Sequence, residues 1–328
     1  MAVEQVAKNI YRIPVPLPKN PLRELNSYLI RGEDRCLLID TGFRMDECRE
    51  ALLAGLAELG VDHREVDFFI THLHSDHSGL APDLTGEGRS IYVSEVDRRW
   101  LQYVEDREEH TAGLRRRLEA SAMPADILDR LLSVNPAFSL AVKPGCEQYV
   151  GVYDGDVIPV GEYRLRCILT PGHAPGQMCL WEEAHRIMFT ADQVLFDITP
   201  NITSWPELDN ALKDYMDSLE RMRQYPVELA LPAHRAAGDY HRRIDQLLEH
   251  HHKRLQEVRD ILTREPGLAG YEIAGRMTWI IRAKNWEDFP MAQKFFAVGE
   301  CQSHLDYLER LGDIYHRPVD GVWKYYMS

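Results

Sequence analysis

Short apolar runs separated by polar and turn residues dominate the chain up to about residue 252. The segment 66–70 is almost wholly apolar, and 163–170 alternates apolar and polar residues, both of which are typical of β-strands. Shorter strand patterns follow at 178–181, 186–189 and 228–231. Leucines in 46–59 lie on one stripe of a helix that ends at Gly60. The pattern therefore predicts strands joined by turns, with an amphipathic helix packed against them.

Residues 97–150 interrupt this sheet pattern with helical segments near 98–119 and 124–133, and Pro124 opens the second. The insertion is rich in apolar side chains: Trp100, Leu101, Tyr103, Leu114, Leu118, Ile127, Leu131 and Phe138. The favoured interpretation is a helical pair that packs its own small core. The alternative is a lid that builds an apolar wall over a substrate.

The pattern becomes helical from about residue 253 onwards. Two hairpin arms, 314–317 and 322–326, flank an Asp320–Gly321 turn, and Asp-Gly strongly favours a hairpin. The preceding helices are predicted at 255–263, 269–279 and 290–311. Three helices and a hairpin resemble a winged-helix domain. We therefore predict two domains, 1–252 and 253–328, the first containing the insertion at about 97–150.

The charge of segment 253–328 argues against DNA binding. It contains 11 Lys and Arg and 11 Asp and Glu, whereas a DNA-reading winged helix is normally basic along its third helix. We therefore favour an interaction or pocket-completing role for this segment. The whole chain has a net charge of −14, which repels phosphates and disfavours nucleic acid as a partner.

Other features of the composition predict a cytoplasmic protein. The first residues do not show the basic and apolar regions of a signal peptide, and no apolar run reaches the roughly 18 residues of a membrane span. The six cysteines are scattered without paired spacing, as expected for reduced thiols. We therefore expect no membrane partner.

Residues 71–77, THLHSDH, contain the densest set of metal-binding side chains in the chain. A chance HxHxDH has a probability of about 0.002 at this composition. If the chain is still extended after 66–70, His72 and His74 point the same way, because side chains two apart share a face. Asp76 and His77 follow in a turn. The four side chains therefore divide into two pairs, which suits two metal ions better than one.

Further candidate ligands stand at the ends of later strand patterns. His173 follows a Thr-Pro-Gly turn, Asp192 follows the pattern at 186–189, and His234 follows that at 228–231. A single histidine after a strand is usually an ordinary loop residue. Three such strand ends, following the HxHxDH motif in order, favour one shared site.

The order HxHxDH, His173, Asp192 and His234 resembles the metallo-beta-lactamase superfamily. The segment 37–42, LLIDTG, also resembles the family's early strand and Asp-Thr-Gly turn, and the similarity covers about residues 10–250. The resemblance implies an α/β fold: an αββα metallo-beta-lactamase sandwich with a helical insertion and a C-terminal winged-helix-like α+β domain. The tail is similar to that of the lactamase-beta-2-like branch of the superfamily.

The resemblance also assigns a role to each candidate ligand. One metal ion would be held by His72, His74 and His173. The other would be held by Asp76, His77 and His234. Asp192 would bridge the two ions, and Asp40 would support the histidine loop from behind the ligands. Ala191 and Ala233 replace glycines that usually precede these last ligands, so the geometry depends on neither position requiring a positive φ.

Two divalent ions with this donor set would form a hydrolytic centre. Five imidazoles and two carboxylates favour zinc, although iron and manganese accept the same donors. With Asp76, Asp192 and a bridging hydroxide, the centre keeps a net charge of about +1, which favours an anionic substrate or an oxyanion. The metals would lower the pKa of bound water and polarise the scissile bond, and Asp76 would accept the proton.

These features favour a metal-dependent hydrolase that uses a metal-bridging hydroxide on a small carbonyl ester, above all a thioester or acyl ester. A thiolate leaves without protonation, and the apolar insertion suits an acyl chain on a small, anionic substrate. One alternative is an endoribonuclease or other phosphodiesterase. A second is a metal-sensing regulator that binds DNA.

Two further segments are open to interpretation. Segment 193–205 follows Asp192 directly, so Thr199 and Asn201 are candidate substrate contacts. The histidines at 250–252 cannot share one face of a helix, and Lys253 follows them, so we predict a solvated helix end there. The tail also makes a homodimer plausible.

Overall fold

Two stacked β-sheets form the centre of the computed structural model, which describes residues 2–134, 142, 145–280 and 283–328. The first sheet has seven strands in chain order, antiparallel over its first four strands and parallel over its last four. They are β1 (Glu4–Ala7), β2 (Ile10–Pro16), β3 (Glu24–Arg31), β4 (Cys36–Ile39), β5 (Val66–Ile70), β6 (Ile91–Ser94) and β7 (Tyr149–Val152).

The second sheet has five strands, antiparallel except for the parallel pair formed by its last two. They are β8 (Val157–Val160), β9 (Tyr163–Leu169), β10 (Met178–Glu182), β11 (Ile187–Ala191) and β12 (Leu229–Pro232). Apolar side chains of both sheets pack between them, including Tyr28 against Phe189 with ring centroids 5.5 Å apart. The strands predicted at 66–70, 163–170, 178–181, 186–189 and 228–231 are confirmed as β5, β9, β10, β11 and β12.

Helices cover the outer faces of both sheets, which gives the expected αββα layering. Helix α1 (Asp46–Glu58) packs on β2, and a side chain at Gly55 would collide with Ile13. Short helices α2 (Ser75–Ser78) and α3 (Ala81–Leu84) follow β5. The predicted helix at 46–59 and its end at Gly60 are confirmed, and Gly60 has φ of 68°.

The insertion consists of α4 (Glu95–Gln102), α5 (Val104–Ala120) and α6 (Ala125–Val134). The predicted helix at 98–119 is therefore two helices, because Tyr103 has an extended backbone with φ of −110°. The interpretation as a pair with its own small core was wrong. Its apolar side chains, including Trp100 and Leu118, belong to the same cluster as those of the sheets. Phe138 lies outside the described residues.

The second sheet is covered by α7 (Ala211–Met222), whose Leu219 belongs to the same apolar cluster as Ile168 of β9. Helix α8 (Tyr240–Arg264) follows and runs without a break across the predicted boundary at 252/253. The division into two domains stays a prediction. His251 is fully buried in the middle of α8, so the interpretation as a solvated helix end was wrong for this residue.

The C-terminal elements are α9 (Gly270–Ala274), α10 (Met291–Leu311), β13 (Leu268–Ala269), β14 (Ile314–Val319) and β15 (Val322–Met327). The strands form a three-stranded antiparallel sheet. The predicted hairpin is confirmed, and both turn residues, Asp320 and Gly321, have positive φ, as a type I′ turn requires. Helix α9 is shorter than predicted. The likeness to a winged helix stays a prediction. No helix of the described residues is long and apolar enough to cross a bilayer.

Candidate metal centre and its cavity

The predicted histidine loop leaves β5 at Ile70 and turns into α2 at the edge where parallel strands end. The Nε2 atom of His72 lies 2.8 Å from Nδ1 of His74. His173, which follows β9, brings its Nε2 within 3.1 Å of the same His74 nitrogen. The first predicted ligand set, from two different sheets, is therefore gathered at one point.

The second predicted set meets beside the first. The Nε2 atoms of His77 and His234 are 3.3 Å apart. The Oδ2 atom of Asp76 lies 3.9 Å from the former and 3.6 Å from the latter. These three side chains can share one cation.

Asp192, at the end of β11, lies between the two sets. Its Oδ1 is 3.7 Å from Nε2 of His77 and 3.5 Å from Nε2 of His234. Its Oδ2 is 3.6 Å from Nε2 of His173. One oxygen therefore faces each set, as a bridging carboxylate would require.

Hydrogen bonds behind the histidines direct their lone pairs inwards. Nδ1 of His173 is 2.9 Å from the carbonyl oxygen of Asn201, and Nδ1 of His234 is 2.8 Å from that of Glu24. Because a carbonyl oxygen only accepts, each Nδ1 carries the hydrogen and each Nε2 has a free lone pair. Nδ1 of His74 faces Nε2 of both His72 and His173 and can donate a hydrogen to only one of them, and Oδ1 of Asp192 has no hydrogen-bond partner. The residues present therefore fit divalent metal ions.

Asp40 lies where the resemblance places it, directly behind the loop. It is 1 % exposed, and its Oδ2 accepts hydrogen bonds from Nδ1 of His77 at 2.7 Å and from the Thr71 hydroxyl at 2.8 Å. Its Oδ1 accepts the backbone N–H of Thr71 at 2.8 Å. Asp40 has φ of 59°, so the backbone turns sharply at the end of β4 to aim this carboxylate.

The electrostatics of the centre differ from one histidine to the next. Burial and the neighbouring imidazoles hold the pKa values of His72 and His74 well below their ordinary range. Burial also lowers the pKa of His77, but the charges of Asp40, Asp76 and Asp192 outweigh it and raise the value to about 10. The centre therefore attracts positive charge but cannot place a proton on every nitrogen.

The two alanine substitutions noted in the sequence differ in their backbone. Ala191 has φ of 46°, in the left-handed region, whereas Ala233 does not have a positive φ. Ala191 therefore carries strain that a glycine would not. The position of Asp192 is nonetheless retained between the two sets.

Asp97, a residue that the sequence patterns did not single out, holds two of the candidate ligand loops together. This fully buried carboxylate accepts the backbone N–H of Leu73 and that of Gly176, each at 2.8 Å. Burial raises its pKa to about 7. The sequence contains one relevant feature, a Ser94 cap three residues earlier at the start of α4, but nothing in it indicates these distant partners.

A cavity of about 680 Å³ opens directly onto four of the candidate ligands, His74, Asp76, His173 and Asp192. The insertion contributes Trp100, His110 and Leu114 to its wall, and segment 193–205 contributes Thr199, Asn201 and Trp205. The ring of Trp205 stacks on His74 with centroids 5.8 Å apart. The insertion therefore forms an apolar wall, as the lid alternative expected. Contact of Thr199 or Asn201 with substrate stays a prediction.

Residues beyond α9 also line the cavity. They include Trp279, Phe295 and Phe296, and also Glu300. Glu300 accepts a hydrogen bond from Nδ2 of Asn201 at 3.2 Å, and the carbonyl of Asn201 is the partner of His173. No Lys or Arg lines the cavity in the described parts of the chain.

The sequence profile of the Metallo-beta-lactamase superfamily matches residues 21–234. The chain is 28% identical over 222 residues to the acyl-coenzyme A thioesterase MBLAC2 of Gallus gallus, which covers 64% of this chain and 72% of that protein. It is 26% identical over 238 residues to the atrochrysone carboxyl ACP thioesterase nsrC of Aspergillus novofumigatus, over 71% of this chain. The chain spans little more than half, 56%, of that fungal protein.

Solved structures extend the similarity to nearly the whole chain. A metallo-beta-lactamase family protein from Thermus thermophilus matches with a TM-score of 0.82 at 25% identity, covering 99% of this chain and 100% of that one. A beta-lactamase domain protein from Burkholderia ambifaria has the same fold, with a TM-score of 0.83 at 24% identity over 99% of this chain and 94% of that one. Fold, donor geometry and profile agree that this chain is a hydrolase of the metallo-beta-lactamase superfamily.

Proposed function

We propose that this chain hydrolyses acyl thioesters of small molecules with the help of two divalent metal ions, most suitably zinc. The observation that carries the proposal is the apolar cavity that opens directly onto the converging donors. An acyl group can lie against its aromatic walls while the scissile carbonyl reaches the donors. Two relatives from different kingdoms are named as thioesterases, which supports the same substrate class.

The two donor sets support a place for each of two metal ions. One ion would be held by His72, His74 and His173. The other would be held by Asp76, His77 and His234, and Asp192 would contact both. When bound, such ions activate water and polarise a carbonyl oxygen.

The remaining steps depend on the chain itself. The carboxylate of Asp76 is partly open to the cavity and accepts the proton of the attacking water. Asp40 and the carbonyls of Glu24 and Asn201 keep the imidazoles in the required tautomers. The walls exclude bulk water around the acyl group. A thiolate is a good leaving group without a proton, so a general acid is not required.

The alternatives find less support in the cavity. A phosphodiester backbone carries charge on each unit, and none of the described lining residues is a Lys or Arg that could pair with it. The hypothesis of a DNA-binding regulator does not account for a substrate-sized cavity that opens onto the candidate ligands. Residues of the C-terminal segment instead line that cavity, which supports a pocket-completing role for it.

The test is a substrate panel with the metal content controlled. Acyl thioesters of different chain length, matching oxygen esters and single-stranded RNA are offered to protein that is metal-loaded, chelated, or chelated and reloaded with zinc, iron or manganese. We expect thioester hydrolysis that is lost on chelation and restored by metal. His251→Gln, a buried histidine outside the centre, is the control for general damage. Thioesterase activity indifferent to chelation contradicts the proposal, and RNA cleavage abolished by Asp76→Ala favours the phosphodiesterase alternative.

A further inference from the structure

His110 of α5 forms a polar point in the apolar wall that faces the metal centre. The residue is 7 % exposed and lines the cavity. Its Nδ1 is 2.7 Å from Oε1 of Glu207. Because an ionised carboxylate only accepts, Nδ1 carries a hydrogen and the ring is held in one orientation. Its Nε2 has no hydrogen-bond partner in the described parts of the protein.

Most other polar groups near His110 in the described part of the chain are already paired or are buried. Its ring contacts Trp205 with centroids 5.2 Å apart and Trp100 edge-on at 6.3 Å. The indole N–H of Trp205 is already donated to the carbonyl of His173 at 3.0 Å, and the Ser204 hydroxyl to Asp306 at 2.9 Å. The indole N–H of Trp100 has no hydrogen-bond partner, but this atom is buried. Nε2 of His110 is therefore the unpaired hydrogen-bonding atom on this part of the wall that a substrate can reach.

His110 and the metal centre lie within reach of one bound acyl group. The Trp205 ring is 5.8 Å from that of His74 and 5.2 Å from that of His110. The two imidazole centroids are consequently at most 11.0 Å apart. The Trp205 indole, which contacts both imidazoles, and the rings of Phe295 and Phe296, which also line the cavity, suit a flat, aromatic acyl group.

We propose that His110 is a specificity-determining residue that binds a hydroxyl group on the acyl part of the substrate, which makes hydroxyaryl acyl thioesters the preferred class. This inference rests on the proposed thioesterase function. A hydroxyl group fits because it donates to Nε2 of a neutral imidazole and accepts from Nε2 of a protonated one. A purely apolar acyl group would strip water from Nε2 and offer no replacement. Glu207 is the positioning residue that aims the ring.

The experiment uses the metal-loaded enzyme and four substrates, an unsubstituted thioester and three derivatives that each carry one additional hydroxyl group. Phenylacetyl thioester is compared with its 2-, 3- and 4-hydroxy isomers carrying the same thiol. The wild type is expected to prefer one isomer over the unsubstituted substrate by about 10-fold in kcat/KM, the worth of one good hydrogen bond. In His110→Phe the ratio falls to about 1. His110→Gln, whose amide nitrogen reaches the place of Nε2, keeps part of it.

Leu114→Ala, one helical turn away on the same wall, is the matched control. It enlarges the cavity and is expected to change kcat/KM for all four substrates by the same factor. Glu207→Ala is expected to reduce the preference, whereas Glu207→Gln, which keeps an oxygen acceptor for Nδ1, retains more of it. If His110→Phe does not fold, as judged by its melting curve, His110→Leu takes its place.

A second measurement separates binding from hydrolysis. The free hydroxyphenylacetic and phenylacetic acids are titrated into the same proteins by calorimetry, and the preference should appear in Kd and KM rather than in kcat. Equal affinity for both acids in the wild type, or a preference that survives His110→Phe, overturns the role of His110 and leaves the proposed function intact. If no thioester is hydrolysed, the proposed function fails, and the two acids still decide the role of His110.

Discussion

Two clusters of buried histidines in this molecule have opposite surroundings. In the metal centre, five imidazoles surround the carboxylates of Asp76 and Asp192. In the C-terminal region, His251 of α8 faces His304 of α10, both fully buried. Neither ring of this pair is bonded to a carboxylate in the part of the chain that the structure describes.

The hydrogen bonds of the pair hold both rings neutral. Nδ1 of His304 donates to the carbonyl of Glu300 at 2.7 Å, so its Nε2 is free to accept from Nδ1 of His251 at 3.3 Å. Burial lowers the pKa of His304 to about 3 and that of His251 well below its ordinary value. Here a lone pair meets an N–H group and no carboxylate takes part, whereas in the candidate metal centre several imidazole nitrogens converge on the carboxylates of Asp76 and Asp192. The difference shows that partners, and not burial, distinguish a cation site from a packed core.

The largest effect should follow from removing the shared carboxylate. Asp192→Asn keeps the shape but supplies one neutral oxygen in place of two charged ones. We expect metal content to fall and kcat/KM to drop by more than about 100-fold, since loss of an outer partner alone costs about 10- to 100-fold. Metal analysis and thioester kinetics measure both. His251→Gln should keep the full metal content, and loss of metal in that variant would break the contrast between the clusters.

Changing Asp40, the carboxylate behind the ligands, should reduce metal binding less than changing Asp192, because Asp40 would not contact a metal ion itself. Asp40→Asn replaces one of the two oxygens that receive hydrogen bonds from His77 and Thr71. Metal affinity, measured by competition with a coloured chelator, should fall by about 10- to 100-fold. A variant that binds metal as tightly as the wild type would show that the imidazoles need no support from this side.

A variant of Asp97 tests the packing of the ligand loops separately from the orientation of the imidazoles. The carboxylate of Asp97 accepts hydrogen bonds from the backbone of these loops and not from the histidine side chains. An amide in Asp97→Asn can accept only one of the two N–H groups that the carboxylate accepts. Leaving a buried donor unpaired should lower the free energy of unfolding by about 1–3 kcal/mol. Denaturation of the metal-free protein provides the measurement. A loss seen solely in the metal-loaded protein would contradict a role in loop packing.

The paired histidines should make the protein sensitive to acid. The pKa of His304 is depressed in the folded state, so the unfolded chain binds a proton that the folded chain excludes. Stability is therefore complete above about pH 6.5 and is lost as the pH falls towards 3, by about 1.4 kcal/mol per pH unit from this residue. Unfolding of the metal-free protein between pH 7 and pH 5 tests this. The slope of the free energy of unfolding against pH should decrease in His304→Gln. An unchanged slope would show that other groups cause the sensitivity to acid.

The smallest effects concern the two alanines beside the ligands. Ala191→Gly should relieve left-handed strain of roughly 1–2 kcal/mol and lose about 0.5–1 kcal/mol in chain entropy, for a small net gain. Ala233→Gly, at an ordinary φ, should lose about 0.5–1 kcal/mol with nothing in return. Melting temperatures that move in the same direction in both variants would contradict the strain at Ala191.

The strands and the candidate donors were accessible from sequence because their patterns are local or repeated, whereas the sandwich and the assignment of each donor to a metal ion were implied by the resemblance to the family. The histidine loop follows an apolar strand immediately, and His173, Asp192 and His234 each follow another strand. Strand ends gather at sheet edges, so order along the chain translates into proximity. Geometry then places these side chains together, while their role as ligands remains a prediction.

The missed residues have partners that are distant in sequence. Asp97 bonds to Gly176, His110 to Glu207, and Glu300 to Asn201. No periodicity relates such pairs, since they meet through the packing of separate elements. His251 was misread for a related reason: three adjacent histidines cannot share a helix face, but one of them can still face another helix.

The participation of α10 in the cavity has a consequence for biosynthesis. All seven donors precede residue 235, whereas Phe295 and Glu300 emerge from the ribosome some sixty residues later. Elements synthesised first can fold while translation continues. If the seven donors bind metal ions as proposed, a nascent chain could capture them before the residues that complete the cavity have been synthesised, and any selectivity that depends on those residues would be acquired last.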